Sequence, residues 1–306
     1  MAGTVGIPGG GRIVGAMTDA PNLLGDYLRA RRELVSPESL GLPQFGLRRV
    51  PGLRREEVAM LSGISADYYL RLEQGRDRNP SRQVLESIAR VLRLGDDGTA
   101  YLLSLAVGQP RPSRRRQRRE TVQPGIRLLI DSLPFPAFVE GRYFDVLASN
   151  SLAVAVSPRL AVGGNRMSDL FLDPAEQDLY PDWQQAARWV VAGFREWVGT
   201  DVDDPEVVEL VGRLSIASPF FRELWARHDV AKYEGAAMSM IHPRVGEIAL
   251  YREKLAITGS VGQLLVIYHP EPGAHAEKLA LLASLTEPGG PSVDLPGAPD
   301  PAHLRQ

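Results

Sequence analysis

The residues best suited to chemistry in this 306-residue chain are arginines, with Arg71 on one face of a helical stretch and others in the segments that flank it, and their chemistry is hydrogen bonding to acceptors such as base edges and phosphates. On a helical wheel that starts at Ala66, residues Ala66, Asp67, Leu70, Arg71 and Gln74 share one open face, while Tyr69 and Leu72 point the other way. A guanidinium at Arg71 can fork onto guanine O6 and N7, or touch a phosphate. The Asp67 carboxylate can accept from cytosine N4, or serve only to favour the positive end of its helix. The expected base contacts are Ser65, Ala66, Asp67, Leu70 and Arg71. The expected phosphate contacts are Arg48, Arg49, Arg54, Arg55, Tyr68, Arg76, Arg78 and Asn79. Tyr68 sits at the edge of the wheel and suits a phosphate or the core equally. The arginines of 48–55 suit a wing on a nucleic-acid backbone, or a solvated basic face.

Bond-making chemistry is missing. With no cysteine, disulfides, thiolate zinc sites, iron–sulfur clusters and a cysteine nucleophile are excluded. The five histidines are scattered without a pair at ligand spacing, so neither metal nor cofactor is expected. No Gly-rich phosphate loop follows a strand, and no Ser/His/Asp arrangement appears, so the chain is not expected to be an enzyme. No apolar run approaches the roughly 20 residues of a membrane span. The N-terminus lacks a basic-then-apolar signal pattern, and the expected address is cytoplasmic.

The elements that must position the arginines follow from charge and periodicity. A formal net charge of −2 conceals a division. Residues 1–120 hold 20 Arg against 13 Asp and Glu, and residues 121–306 hold 15 Lys and Arg against 24 acids. A basic half joined to an acidic half implies that the first half meets a polyanion. The expected order is a Gly-rich flexible tail over 1–20, a helical domain over 21–107, an Arg/Pro-rich linker over 108–125, a second domain over 126–288, and a flexible tail over 289–306. The Arg run 114–119 either hugs nucleic acid or keeps the linker extended.

Five short helices are predicted, over 22–34, 54–62, 66–74, 82–94 and 97–107. Between the second and third, Gly63 suits a turn needing positive φ, Ile64 plugs the core, Ser65 caps, and Gly75 terminates. The whole segment Leu53–Gly75 resembles the helix-turn-helix of phage-repressor-like (XRE-type) regulators. With the flanking text, PGLRREEVAMLSGISADYYLRLEQGRDRNPS and then VLESIARVLRL, it resembles the MmyB-like branch of that family, common in actinobacteria. That branch shares the long loop over 36–52. The resemblance implies specific binding to double-stranded DNA, by a homodimer on a two-part operator. One departure is Arg55, where phage repressors often carry Gln, so a Gln-mediated base reading does not transfer.

In the second half, strands are predicted over 137–140, 144–149, 233–241, 247–251 and 264–268, with helical blocks over 175–198 and 205–227. Phe144–Asn150 followed by Ala153 is similar to the opening strand and Asn of a PAS domain. Leu170–Pro174, Leu179–Trp183, Ser218–Phe221 and Leu224–Asp229 resemble the MmyB-like ligand-binding domain. The implied fold class is an all-α five-helix reader followed by an α+β PAS-like sensor. Its effector is expected to be a small, largely apolar molecule, with an apolar carboxylate fitting aromatic walls plus Arg or His. The expected pocket residues are Tyr143, Phe144, Asn150, Phe171, Trp183, Phe194, Trp225, Arg227, His228 and Tyr251, with Trp189 and Trp197 as further aromatic candidates. Two other readings stay open: a second domain that only dimerises, and a protein-interaction adaptor with no ligand.

Overall fold

The computed structural model describes residues 22–42, 52–77, 79–107, 120–232, 235–260 and 262–285. Arg48, Arg49, Arg78, both tails and the Arg run 114–119 lie outside the described residues.

The N-terminal bundle starts for local reasons. Asn22 accepts from the Gly25 amide at 3.1 Å and so caps α1 (Leu23–Leu34). Ser65 does the same for α3 (Ala66–Glu73) through Tyr68 N, and Ser81 for α4 (Arg82–Val91) through Val84 N. Between them α2 (Arg55–Ser62) ends at Gly63, whose φ of +71° lies in the left-handed region that glycine adopts without strain. The last helix of the bundle is α5 (Asp96–Val107). Tyr27, Leu28, Leu53, Val58, Tyr69, Leu72, Leu85, Ile88 and Leu102 are buried together at its centre. Full burial of each such side chain contributes about 1.5–3 kcal/mol. The helices cross closely: a Cβ on Gly25 would meet the Glu73 carbonyl oxygen at 2.2 Å, so any larger residue there forces α1 away from the end of α3. All five predicted helices are present, each within a few residues of its expected limits.

The second domain is α+β. Its five strands are β1 (Ala137–Glu140), β2 (Val146–Ser149), β3 (Ala236–His242), β4 (Gly246–Ala256) and β5 (Leu264–His269), in the order β2-β1-β5-β4-β3 with every pair antiparallel. One sheet face carries Phe138, Ile248, Leu250, Val266 and Tyr268 against α7 (Ser151–Val156) and α13 (Ala274–Ser284). The other carries Ala137, Val139 and Leu265 against α6 (Pro124–Ser132) and the buried Val122. A third apolar cluster joins α8 (Arg166–Leu172), α10 (Trp183–Val198), α11 (Pro205–Ala217) and α12 (Pro219–Ala226) around Phe144, Phe194 and Phe221. A short helix, α9 (Pro174–Gln177), precedes α10.

Three differences from expectation have physical causes. Both helical blocks are broken in two by proline: Pro181 separates α9 from α10, and Pro219 forces Ser218 into an extended conformation (φ −126°, ψ 107°) from which its hydroxyl caps α12. Strand β4 runs on to Ala256, past the expected end at 251, because Arg252 and Lys254 find partners or a cavity on the inner face. Helices α6, α7, α8 and α13 were not anticipated, since their apolar stripes are short.

Candidate functional site

The α2–turn–α3 unit presents the expected face. Ala66 and Asp67 are exposed, Leu70 and Arg71 half-buried, and Gln74 exposed, while Tyr69 and Leu72 are fully buried. Arg71 pairs with Asp67 one turn earlier, and its guanidinium lies 5.6 Å from the Tyr68 ring centroid. Tyr68 is half-buried against the bundle core, so it serves packing and surface together. The Ser65 hydroxyl is engaged as cap. Arg54 is exposed at the start of α2, and Arg76 and Asn79 are exposed after α3. Arg55 is tied inward: its Nε donates to Glu73 Oε2 at 2.6 Å, although 43% of its side chain remains exposed. Glu73, fully buried, also accepts from Arg32 Nε at 2.7 Å, and Arg32 Nη1 donates to Leu53 O at 2.8 Å. One carboxylate thus joins α1, α2 and α3. Sequence reasoning missed it. The wheel gave little signal, since it puts Glu73 at the border of the open face, between Ala66 and Tyr69.

The second domain holds an open cleft of about 790 Å³ between α8, α10 and the β3–β4 end of the sheet. Leu170, Trp189, Val190 and Met238 give it apolar walls, and Trp189 stands 58% exposed there. Arg166, Arg252 and Tyr180 supply its polar side. The Nε of Arg252 is buried and has no hydrogen-bond partner. Arg166 Nη1 reaches Glu140 Oε2 at 3.2 Å, and Lys254 Nζ donates to Glu140 Oε1 at 3.1 Å. Burial pulls the Lys254 ammonium down to about 7, with Glu140 opposing and Arg252 and Arg166 adding to the shift. Burial pushes the Glu176 carboxyl up, against hydrogen bonds from Ser157 and Tyr180. The cleft is lined by Arg166, Lys232 and Arg252 and by the carboxylates of Asp97 and Asp182, with Lys254, Glu140 and Glu176 in the same charge network, so its charges balance and it is the unpartnered Arg252 Nε that offers an anionic group a place.

Residues 122–283, just over half of the chain, match the model of the MmyB-like transcription regulator ligand binding domain. The chain belongs to the MmyB-like transcription regulators. Residues 23–102 match a helix-turn-helix domain. The regulator is thus a DNA-binding transcription regulator carrying a ligand-binding domain, and the matched families are regulatory rather than enzymatic. No curated protein shows a significant match. Among the described residues no helix is long and apolar enough to cross a membrane, and no group of three or more His, Asp or Glu side chains could hold a metal ion.

In the regulator, the ten residues expected at a pocket do not line the cleft. Asn150 is a structural pin: its Oδ1 caps α7 and accepts from Ala137 N, and its Nδ2 donates to Ile130 O and Phe135 O. Phe144, Phe171, Phe194, Trp183 and Trp225 interlock in the helical cluster, Trp183 Nε1 donating to Leu170 O at 2.7 Å. Tyr143 donates to Asp204 at 2.7 Å. Tyr251 lies on the opposite face of β4 from Arg252, stacked on His269 and donating to Glu271.

Arg227 and His228 stand at the junction between the two domains. Arg227 donates to Asp229, which also pairs with Arg31 of α1. His228 accepts at Nδ1 from Arg195, whose guanidinium lies 3.9 Å above the Trp225 ring and is 4% exposed. Burial, then Arg195 and Arg31, hold the imidazole down to about 4, and burial lowers Arg195 to about 10. Tyr101 of α5 donates to Gly199 O at 3.3 Å, and Lys232 N donates to Asp97 Oδ2 at 3.0 Å. Arg195 was legible in principle, as the one cation on the buried stripe of α10 with Val191, Phe194 and Val198.

Proposed function

We propose that the regulator reads duplex DNA with the open face of α3 and that its second domain binds a small, largely apolar carboxylate in the Trp189–Arg252 cleft, the molecule acting as a homodimer on a two-part operator. The observation that carries the ligand half is a buried, unpartnered Arg252 Nε beside apolar walls, in a cleft sized for a metabolite. An orphaned donor of this kind costs about 1–3 kcal/mol, which an anion in the cleft would recover. For the DNA half, Ser65, Ala66, Asp67, Leu70 and Arg71 are proposed at base edges, and Arg54, Arg76 and Asn79 at phosphates. Arg55 joins the phosphate set only through the part of its side chain not held by Glu73. Arg48, Arg49 and Arg78 keep the same proposed role from sequence.

Binding-site selection from random duplex tests the first half. An enriched motif with two half-sites about one helical turn apart is expected; equal affinity for unrelated duplexes defeats it. Thermal unfolding of the full chain with decanoate tests the second. A rise in Tm that saturates, and that Arg252→Met removes, is expected. A Tm indifferent to decanoate would leave the second domain with dimerisation alone.

A further inference from the structure

The cleft is not built by the second domain alone. Asp97, in the first turn of α5, lines it beside Lys232. The hydrogen bond from Lys232 N to Asp97 Oδ2, at 3.0 Å, joins the two domains at that point. The same two residues also line a second cavity of about 440 Å³, bounded by Tyr101 of α5 and by Trp197 and Gly199 at the end of α10. The two spaces therefore adjoin at the Asp97–Lys232 contact. A single helix connects it to the rest of the junction. Trp189 and Val190 of α10 wall the cleft, and Arg195 of the same helix touches Trp225 and His228 beside Tyr27 and Arg31 of α1.

We propose that the effector cleft is a two-domain site: Asp97 of the DNA-reading bundle completes its wall, so that a molecule filling it holds α5 and α1 against the sensor. This rests on the cleft reading above and extends it to regulation. The physical reasoning is linkage. A ligand that touches both domains in the docked arrangement binds that arrangement more tightly than any undocked one, and so raises its population. The junction contacts come from α1 and α5, whereas the open residues of α3 remain exposed or half-buried. Occupancy therefore sets where the reading helix is held and leaves its reading face uncovered. Asp97 also selects what approaches it: a carboxylate offers several acceptor sites, so that end of the cleft favours a neutral or donor-bearing group and repels a second anion.

Amide hydrogen exchange of the full chain, with and without decanoate, tests this. Slowed exchange is expected in the cleft walls of α10 and β3 and also in the first two turns of α5, by about 5- to 150-fold where coupling is of ordinary size. Reciprocity gives an independent readout. Arg31 lies on α1 outside the cleft and pairs with Asp229, so Arg31→Ala weakens decanoate binding by about 5-fold or more, and Arg31→Lys by less. Asp97→Ala abolishes the α5 protection, and Asp97→Asn, which keeps an acceptor for Lys232 N, retains part of it. Protection of α10 and β3 with α5 unchanged, and an affinity indifferent to Arg31→Ala, would overturn the two-domain site and leave the cleft intact. No protection in α10 or β3 would overturn the cleft reading and this inference with it.

Discussion

Both domains bury arginines beside glutamates, and they do so to opposite ends. In the reader, Glu73 divides its two oxygens between Arg32 and Arg55 at 2.7 and 2.6 Å, and Arg32 spends a further donor on Leu53 O. Both carboxylate oxygens of that network are taken, and it fixes α3 against α1 and α2. In the sensor, Glu140 holds Arg166 and Lys254 while Arg252 keeps a buried Nε without a partner at the edge of a cleft. That network has a donor to spare. A saturated buried charge makes a frame, because removing any member strands the others. An unsaturated one makes a seat on the reading proposed above, where a ligand arriving in the cleft recovers its cost.

The largest expected effect breaks the Glu73 network. Glu73→Ala leaves Arg32 buried without its carboxylate and costs the reader about 3–5 kcal/mol, read as a fall in the denaturant midpoint of the full chain. A loss under about 1 kcal/mol would mean that the frame is held by apolar packing alone.

Next in size is the junction. His228 faces Arg195, Arg31 and Asp229, with the Tyr27 ring at 6.4 Å. Its folded pKa is about 4 against an ordinary 6.5, so the folded chain keeps the imidazole neutral. As pH falls from about 6.5 towards 4 the unfolded chain takes up the proton first, and stability is lost through that window, by at most about 3 kcal/mol. Below about pH 4 this group contributes no further loss. His228→Gln, neutral throughout, flattens the slope, which thermal unfolding across the window will show.

On DNA, Arg71→Ala is expected to cost about 1–3 kcal/mol at the best site and to relax its sequence preference. Arg76→Ala instead weakens all duplexes alike and lowers the salt slope by about 1 per protomer. Equal losses on specific and random DNA for Arg71→Ala would make it a phosphate contact.

The smallest effect sharpens the comparison most. Arg252→Met removes an orphaned donor and keeps an apolar stem, so the stability of the ligand-free chain changes by less than about 1 kcal/mol. A loss comparable to that of Glu73→Ala would place Arg252 in the frame and not in the seat.

Much of the reader was legible in the sequence because its rules are local. Ser65 and Ser81 cap within three residues of themselves, Gly63 supplies its own positive φ, and the faces of α3 follow from a wheel. The strands of the second domain were legible to within a few residues where they alternate. Aromatic residues did not mark the cleft: of the twelve side chains offered as pocket walls, Trp189 alone lines it. A large apolar side chain in the sequence says only that it will be buried, not whether its neighbour will be protein or ligand.

Local order, then, was determined by the sequence itself: five helices, a turn that must be glycine, the α3 face that carries Arg71, and the alternation of strands. Tertiary structure alone decided the rest. Glu73 meets Arg32 across 41 positions, Lys254 meets Glu140 across 114, and Arg31 meets Asp229 across 198. The physical reason is that burying a charge is costly unless a partner arrives from elsewhere in the chain. A sequence window around Arg252 or Asp97 contains neither the partner nor the cavity that gives the residue its role.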